Sequence, residues 1–119
     1  MPTCYLSGPM TGWTDHNYSE FHAAADDLRA LGFDVINPAE VLDGDTKLPW
    51  STYIREDIGI LLGVDCVAVL PWWERSRGAM LEVTIAAALD LPIFEACDPD
   101  RFINVDLYRH DYCLTLIKR

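Results

Sequence analysis

The sequence predicts an α/β fold, a three-layer α/β/α sandwich around a parallel sheet of four to five strands. Three observations carry this. Short apolar runs alternate with stretches of helical periodicity, in the order β-α-β-α-β-α-β. Val64 to Leu70 is almost continuously apolar, the pattern of a strand buried on both faces. Gly32 and Gly63 stand where the first two helical patterns stop. Such alternation implies right-handed crossovers and a Rossmann- or flavodoxin-like sheet, with ligands at the carboxyl ends of the strands.

In chain order, Cys4 to Ser7 reads as the first strand, broken into a loop by Gly8-Pro9-Met10-Thr11-Gly12. From Asn17 to Leu31, Tyr18, Phe21, Ala25, Leu28 and Leu31 recur at three and four, Asn17 with Glu20 resembles a capping box, and Gly32 suits the position after the helix. Phe33 to Asn37 is a second strand, ended by Pro38, and a polar loop from Val41 to Pro49 carries the turn signal Asp43-Gly44-Asp45. Ser51 is the expected cap of a second helix with Ile54, Ile58, Leu61 and Leu62 toward the core and Arg55, Glu56 and Asp57 on its polar side. The strand Val64 to Leu70 follows, then a helix from Ser76 to Leu89 and a fourth strand around Pro92 to Glu95. Beyond Asp98 the pattern fades; a short helix and a last strand at Tyr112 to Ile117 are the expectation.

The 119 residues, half of them hydrophobic, suit one domain, 1–119, with a single core. A net charge of −10 argues against a nucleic-acid polymer as partner, which would call for a basic stripe, but leaves room for one nucleotide in a local site. The start of the chain does not read as a signal peptide, and no apolar run reaches the roughly 18 residues of a membrane span. A cytoplasmic protein without membrane contact is expected. Cys4, Cys66, Cys97 and Cys113 form no C-x-x-C pair and read as reduced core or edge residues, and His16, His22 and His110 fit no metal spacing. No metal and no cofactor is expected.

The candidate chemistry centres on Glu82. It is the one charge in an otherwise apolar helical stretch, Ala79 to Leu89, and an unpaired buried charge is costly. A lone helical glutamate usually points to solvent. Here it follows a Ser76-Arg77-Gly78 turn and a loop, Pro71 to Arg75, rich in aromatics and charge, which points to a catalytic carboxylate. Asp57 is the candidate second carboxylate, since cleaving a glycosidic bond divides its work between a nucleophile and an acid or base. Ser76, Arg77 and Gly78 at a helix N-terminus can offer amides and a hydroxyl to an anion, a phosphate above all, with Arg75 and Arg77 adding charge; Ser76 as a plain N-cap is the simpler use. Gly8 and Gly12 permit close backbone approach, and Trp13, Trp50, Trp72 and Trp73 fall in or beside loops where one of them can stack on a planar ligand.

These pieces, Tyr5-Leu6-Ser7-Gly8-Pro9-Met10, Asn37-Pro38-Ala39, Arg55-Glu56-Asp57, Val64 to Leu70 and Ser76-x-Gly78-x-x-x-Glu82, occur in the order found in the nucleoside 2-deoxyribosyltransferase-like superfamily, which the chain resembles from residue 4 to about 96. Its nearest branch looks like the small proteins grouped as DUF4406. The resemblance implies that Glu82 is a nucleophile attacking C1′ of a deoxyribose, that Asp57 orients it or handles the proton of the base, and that Tyr5 holds the carboxylate by a hydrogen bond. Ser7, Gly8, Pro9, Met10, Ser76 and Gly78 would bind substrate. A serine six residues before the nucleophile goes with relatives that hydrolyse 5′-monophosphates, an aspartate with those acting on free nucleosides. Relatives form dimers or larger homo-oligomers in which a neighbour's polar residue completes the pocket, and Asn104 is the candidate. Two features depart from the family pattern: Met80, where glycine is frequent, and the tryptophan pair before Ser76.

The reading that results is an N-glycosidase hydrolysing a (deoxy)nucleoside 5′-monophosphate through a glycosyl-Glu82 intermediate. A deoxyribosyltransferase uses the same intermediate but passes the sugar to a second base. A non-catalytic nucleotide sensor is the rival of another class, because fold does not fix function. A phospho-receiver domain is disfavoured, since no acidic pair follows the first strand.

Overall fold

A computed structural model gives the structure of the protein, described for residues 1–40 and 49–104. It contains β1 (Thr3–Ser7), α1 (Tyr18–Ala30), β2 (Asp34–Ile36), α2 (Trp50–Leu61), β3 (Cys66–Val69), α3 (Arg77–Ala88), β4 (Ile93–Glu95) and β5 (Asp98–Phe102), with 3-10 turns at Thr14–Asn17 and Trp73–Arg75. The five strands form one sheet in the order β2-β1-β3-β4-β5. β1 runs parallel to both β2 and β3, and β3 to β4, while β5 turns back antiparallel on β4. This is the flavodoxin-like order. Its reversal point lies between β1 and β3, where open α/β sheets leave a crevice.

The two-residue period of the strands sorts the core into two halves. Cys4, Leu6, Cys66, Ala68 and Phe94 pack on Phe21, Ala25 and Leu28 of α1. Tyr5, Val67, Val69 and Ile93 face the other way, onto Leu61 of α2 and Ala79, Met80, Val83 and Ala86 of α3. One helix therefore covers one face and two cover the other. Each fully buried Leu or Val contributes about 1.5–3 kcal/mol, which suffices to hold short strands whose own pairing is weak.

Caps and edges differ from expectation in instructive ways. Asn17 precedes α1 in a left-handed conformation and makes no capping bond; its side-chain amide donates to the Pro9 carbonyl at 3.0 Å and ties down the first loop. At the other end, Gly32 at φ +102 closes α1 as expected, with the Gly32 amide donating to Arg29 and the Phe33 amide to Leu28. Ser51 does not cap α2, which begins one residue earlier after Pro49. Leu62, expected in the core, is 65% exposed, because the helix presents Leu61 to the sheet. Asp65 accepts the Thr3 amide at 2.8 Å and so fixes the entry of β3 beside β1.

β5 was not expected. Its sequence, Asp-Pro-Asp-Arg-Phe, has neither alternation nor β-branched residues, but it is an edge strand, where charge and proline are tolerated because one side needs no partner. The Asp43-Gly44-Asp45 turn and the strand expected at 112–117 lie outside the described residues. Among those described, no helix is long and apolar enough to cross a membrane. Cys4, Cys66 and Cys97 are free thiols.

Candidate active site

Glu82 is 4% exposed and belongs to the sheet-facing stripe of α3, with Ala79, Val83 and Ala86. Tyr5 and Ser7, two apart on β1, point to that same face. The Tyr5 hydroxyl donates to Glu82 Oε2 at 2.8 Å and the Ser7 hydroxyl to Oε1 at 2.7 Å. Both carboxylate oxygens are thus held by donors from a neighbouring strand, which fixes the rotamer of the glutamate and offsets part of its burial.

Asp57 approaches from α2 and interacts with both Glu82 and Tyr5. Burial pushes the Glu82 carboxyl well above the usual carboxylate range, the charge of Asp57 pushes it further, and the Ser7 and Tyr5 hydroxyls pull it part of the way back. Asp57 is also raised by burial, against which its interactions with Glu82 and Tyr5 act. Burial and the two carboxylates raise the Tyr5 phenol, so it stays a donor. Two carboxyls this close retain a proton between them to higher pH than an isolated acid would. The arrangement places two interacting carboxyl groups in a single buried pair, one of which can keep its proton where the other is ionised.

Glu82 and Asp57 open onto a cavity of about 670 Å³ at the reversal point of the sheet. Gly8, Pro9 and Met10 of the first loop form one wall; Trp50, Tyr53 and Ile54 of α2 another; Ser76, Arg77 and Gly78 at the start of α3 a third. Ser76 caps α3 by accepting the Ala79 amide at 3.2 Å, which leaves its own O–H free in direction to donate to a bound group. Gly8 has a further reason to be glycine: a Cβ there would lie 2.8 Å from Leu70 Cβ. The first loop therefore lies close against the end of β3, and the cavity floor depends on that approach.

The chain's sequence matches the profile of a family described as "Domain of unknown function (DUF4406)" over residues 2–95. The chain belongs to the DUF4406 family. No curated protein matches it.

Against this DUF4406 site, the sequence expectations divide. Glu82, Asp57 and Tyr5 come together from α3, α2 and β1, and Gly8, Pro9, Met10, Ser76 and Gly78 line the cavity. Ser7, expected to touch substrate, is instead fully buried and engaged with Glu82, so it positions the carboxylate. Asn104 is exposed beyond β5 and is not among the residues lining this chain's own cavity. Of the tryptophans, Trp13 and Trp50 line the cavity, whereas Trp73 is 4% exposed in the core and Trp72 stacks under Arg75 at the surface. His16, which fits no metal spacing, is a cavity residue, and His22 meets Asn37 at 3.2 Å. Tyr18, read from the sequence as an apolar position of α1, lines the cavity, as does Tyr53. The missed signal on α2 was Trp50, Tyr53, Ile54 and Asp57 at spacings of three, one and three, a second helical stripe facing the cavity. No group of His, Cys, Asp and Glu among the described residues could hold a metal ion.

Proposed function

We propose that this DUF4406 protein is an N-glycosidase that hydrolyses the base–sugar bond of a (deoxy)nucleoside 5′-monophosphate, as members of the nucleoside 2-deoxyribosyltransferase-like superfamily do. The observation that carries the reading is the buried Glu82 carboxylate on a cavity wall, held at both oxygens by Tyr5 and Ser7, with Asp57 beside it. Hydroxyl donors would serve any buried glutamate, but a second carboxyl beside it adds to the cost of burial and gives a structural glutamate nothing. In the form of the pair that carries the shared proton on Asp57 and leaves Glu82 ionised, Glu82 attacks C1′, the C1′–N bond breaks, and the base leaves with the bonding electrons and the proton carried by Asp57. Water then attacks C1′ of the glycosyl ester, Asp57 accepts its proton, and the ester bond breaks to return the Glu82 carboxylate and free sugar phosphate.

Ser76 and the first amides of α3 suit the 5′-phosphate, which an aspartate in that position would repel. The tryptophan and tyrosine side chains of α2 and the first loop suit a planar base. A second copy of the chain is the protein partner in this reading, with Asn104 offered to the neighbouring cavity, and a nucleotide substrate goes with a cytoplasmic location.

The test is chromatographic detection of free base from a panel of deoxynucleoside and ribonucleoside monophosphates and the matching nucleosides, with wild type and Glu82→Ala. Base release by wild type alone, restricted to monophosphates, is expected. Release only when a second base is supplied would make the protein a deoxyribosyltransferase. Nucleotide binding without release from any substrate would overturn the catalytic role and leave a sensor.

A further inference from the structure

Arg77 is the first residue of α3, between the cap Ser76 and Gly78, and lines the cavity. Its guanidinium carbon lies 3.6 Å from the centroid of the Trp50 ring, so the plane of the cation is stacked on the first residue of α2. Nε and Nη2 form one edge of that plane, the fork that matches two oxygens of a phosphate or carboxylate. Both atoms are buried, and neither has a hydrogen-bond partner among the described residues. The ion pairs among the described residues, Arg29 with Glu40 and Arg101 with Glu95, do not involve it. A buried donor without an acceptor is destabilising, and two on one cation more so. An arrangement of this kind is explained when the missing acceptor is a ligand.

We infer that Arg77 is the charged, specificity-determining residue of the anion site, its Nε–Nη2 edge taking two oxygens of a phosphate monoester while Trp50 fixes the plane of the fork. That the anion is a nucleotide phosphate rests on the glycosidase reading; that the edge awaits an acidic acceptor rests on the geometry alone. Ser76 and the α3 amides contribute neutral donors, and Arg77, the one of the two cavity arginines whose fork is buried without an acceptor, supplies positive charge beside them. Because neither nitrogen is exposed, a phosphate can reach this edge only if the Arg77–Trp50 stack shifts, and Trp50 fluorescence is the readout of that shift.

The test is calorimetric titration of inorganic phosphate, deoxynucleoside 5′-monophosphates and the matching nucleosides into wild type, Arg77→Met, Arg77→Lys and, as a charge-matched control, Arg101→Met. Arg77→Met keeps an apolar stem against Trp50 and removes the fork. It should weaken phosphate and monophosphate binding roughly 10- to 100-fold, the value of hydrogen bonds to a charged group, and leave nucleosides unaffected. Arg77→Lys should restore part of the loss, since it returns the charge without the fork. Phosphate should change the tryptophan fluorescence of wild type and not of Trp50→Phe. Monophosphate affinity in Arg77→Met equal to wild type, or no phosphate-dependent binding by wild type, would overturn the inference. Phosphate bound through Arg77 with no base released from any substrate would sustain the anion site and refute the glycosidase. Base release from monophosphates undiminished in Arg77→Met would do the reverse.

Discussion

Removing one hydroxyl from Tyr5 tests how Glu82 is held. Tyr5→Phe keeps a fully buried ring and deletes only the donor 2.8 Å from Glu82 Oε2. A hydrogen bond between neutral partners contributes about 1 kcal/mol and one to an ionised group about 1.5–3 kcal/mol. The substitution should therefore cost about 1 kcal/mol where Glu82 is protonated and about 1.5–3 kcal/mol where it is ionised. Burial and Asp57 already raise Glu82 in the folded chain, so the native state binds its proton more tightly than the unfolded chain. Stability tied to Glu82 is then fully present below the unfolded value of about 4.3 and is lost as pH rises through the raised native value. Tyr5→Phe deepens that loss by about 0.5–2 kcal/mol, the difference between the two bond values, and moves the native midpoint up by roughly half to one and a half pH units. Urea unfolding at closely spaced pH, from the acid side of the carboxylate range to mildly alkaline, measures both. A stability difference between the two proteins that stays constant with pH would refute the argument, since it would mean that the hydroxyl does not distinguish the two forms of Glu82.

Further outcomes follow from the same geometry. Glu82→Gln should flatten the alkaline decline in stability, because the group whose ionisation is penalised is gone; a decline as steep as in wild type, in the same urea series, would place the cause elsewhere. Gly8→Ala should destabilise by about 1–3 kcal/mol, as its methyl would sit 2.8 Å from Leu70 Cβ, and chemical denaturation indistinguishable from wild type would contradict that contact. Ser76→Asp should keep the cap of α3, since aspartate caps as well as serine, yet lose monophosphate binding by repulsion; Ser76→Ala should cost about 1 kcal/mol of stability. Gly78→Ala meets no neighbour nearer than 3.8 Å and should stabilise α3 by up to about 1 kcal/mol while its methyl narrows the cavity, so that melting temperature and nucleotide affinity move in opposite directions.

The frame of the fold was legible because both periods are strong in this chain. Tyr5 and Ser7 share a face by the two-residue period, Glu82 shares one with Ala79, Val83 and Ala86 by the helical one, and the sheet order brings those faces together. What sequence could not show was the assignment of individual polar residues to contacts. Ser7 reads equally well as a ligand donor or as a support for Glu82, and the choice is made by the orientation of β1. Asn17 looks like a cap, but a left-handed turn takes its amide to Pro9 instead. α2 carries two apolar stripes, one for the core and one for the cavity, and a single-stripe reading set Asp57 with Arg55 and Glu56 on the outer face. β5 was invisible because an exposed edge strand is selected for solubility more than for pairing.

Covalent trapping tests the central role of Glu82 most directly. A deoxynucleoside monophosphate bearing fluorine at C2′, which slows breakdown of a glycosyl ester, would be incubated with the protein, quenched in acid, digested and examined by mass spectrometry. The account predicts one peptide, containing Glu82, heavier by the sugar phosphate, and none in Glu82→Gln. Base release by Glu82→Gln at the wild-type rate, or a sugar adduct on a residue other than Glu82, would contradict it.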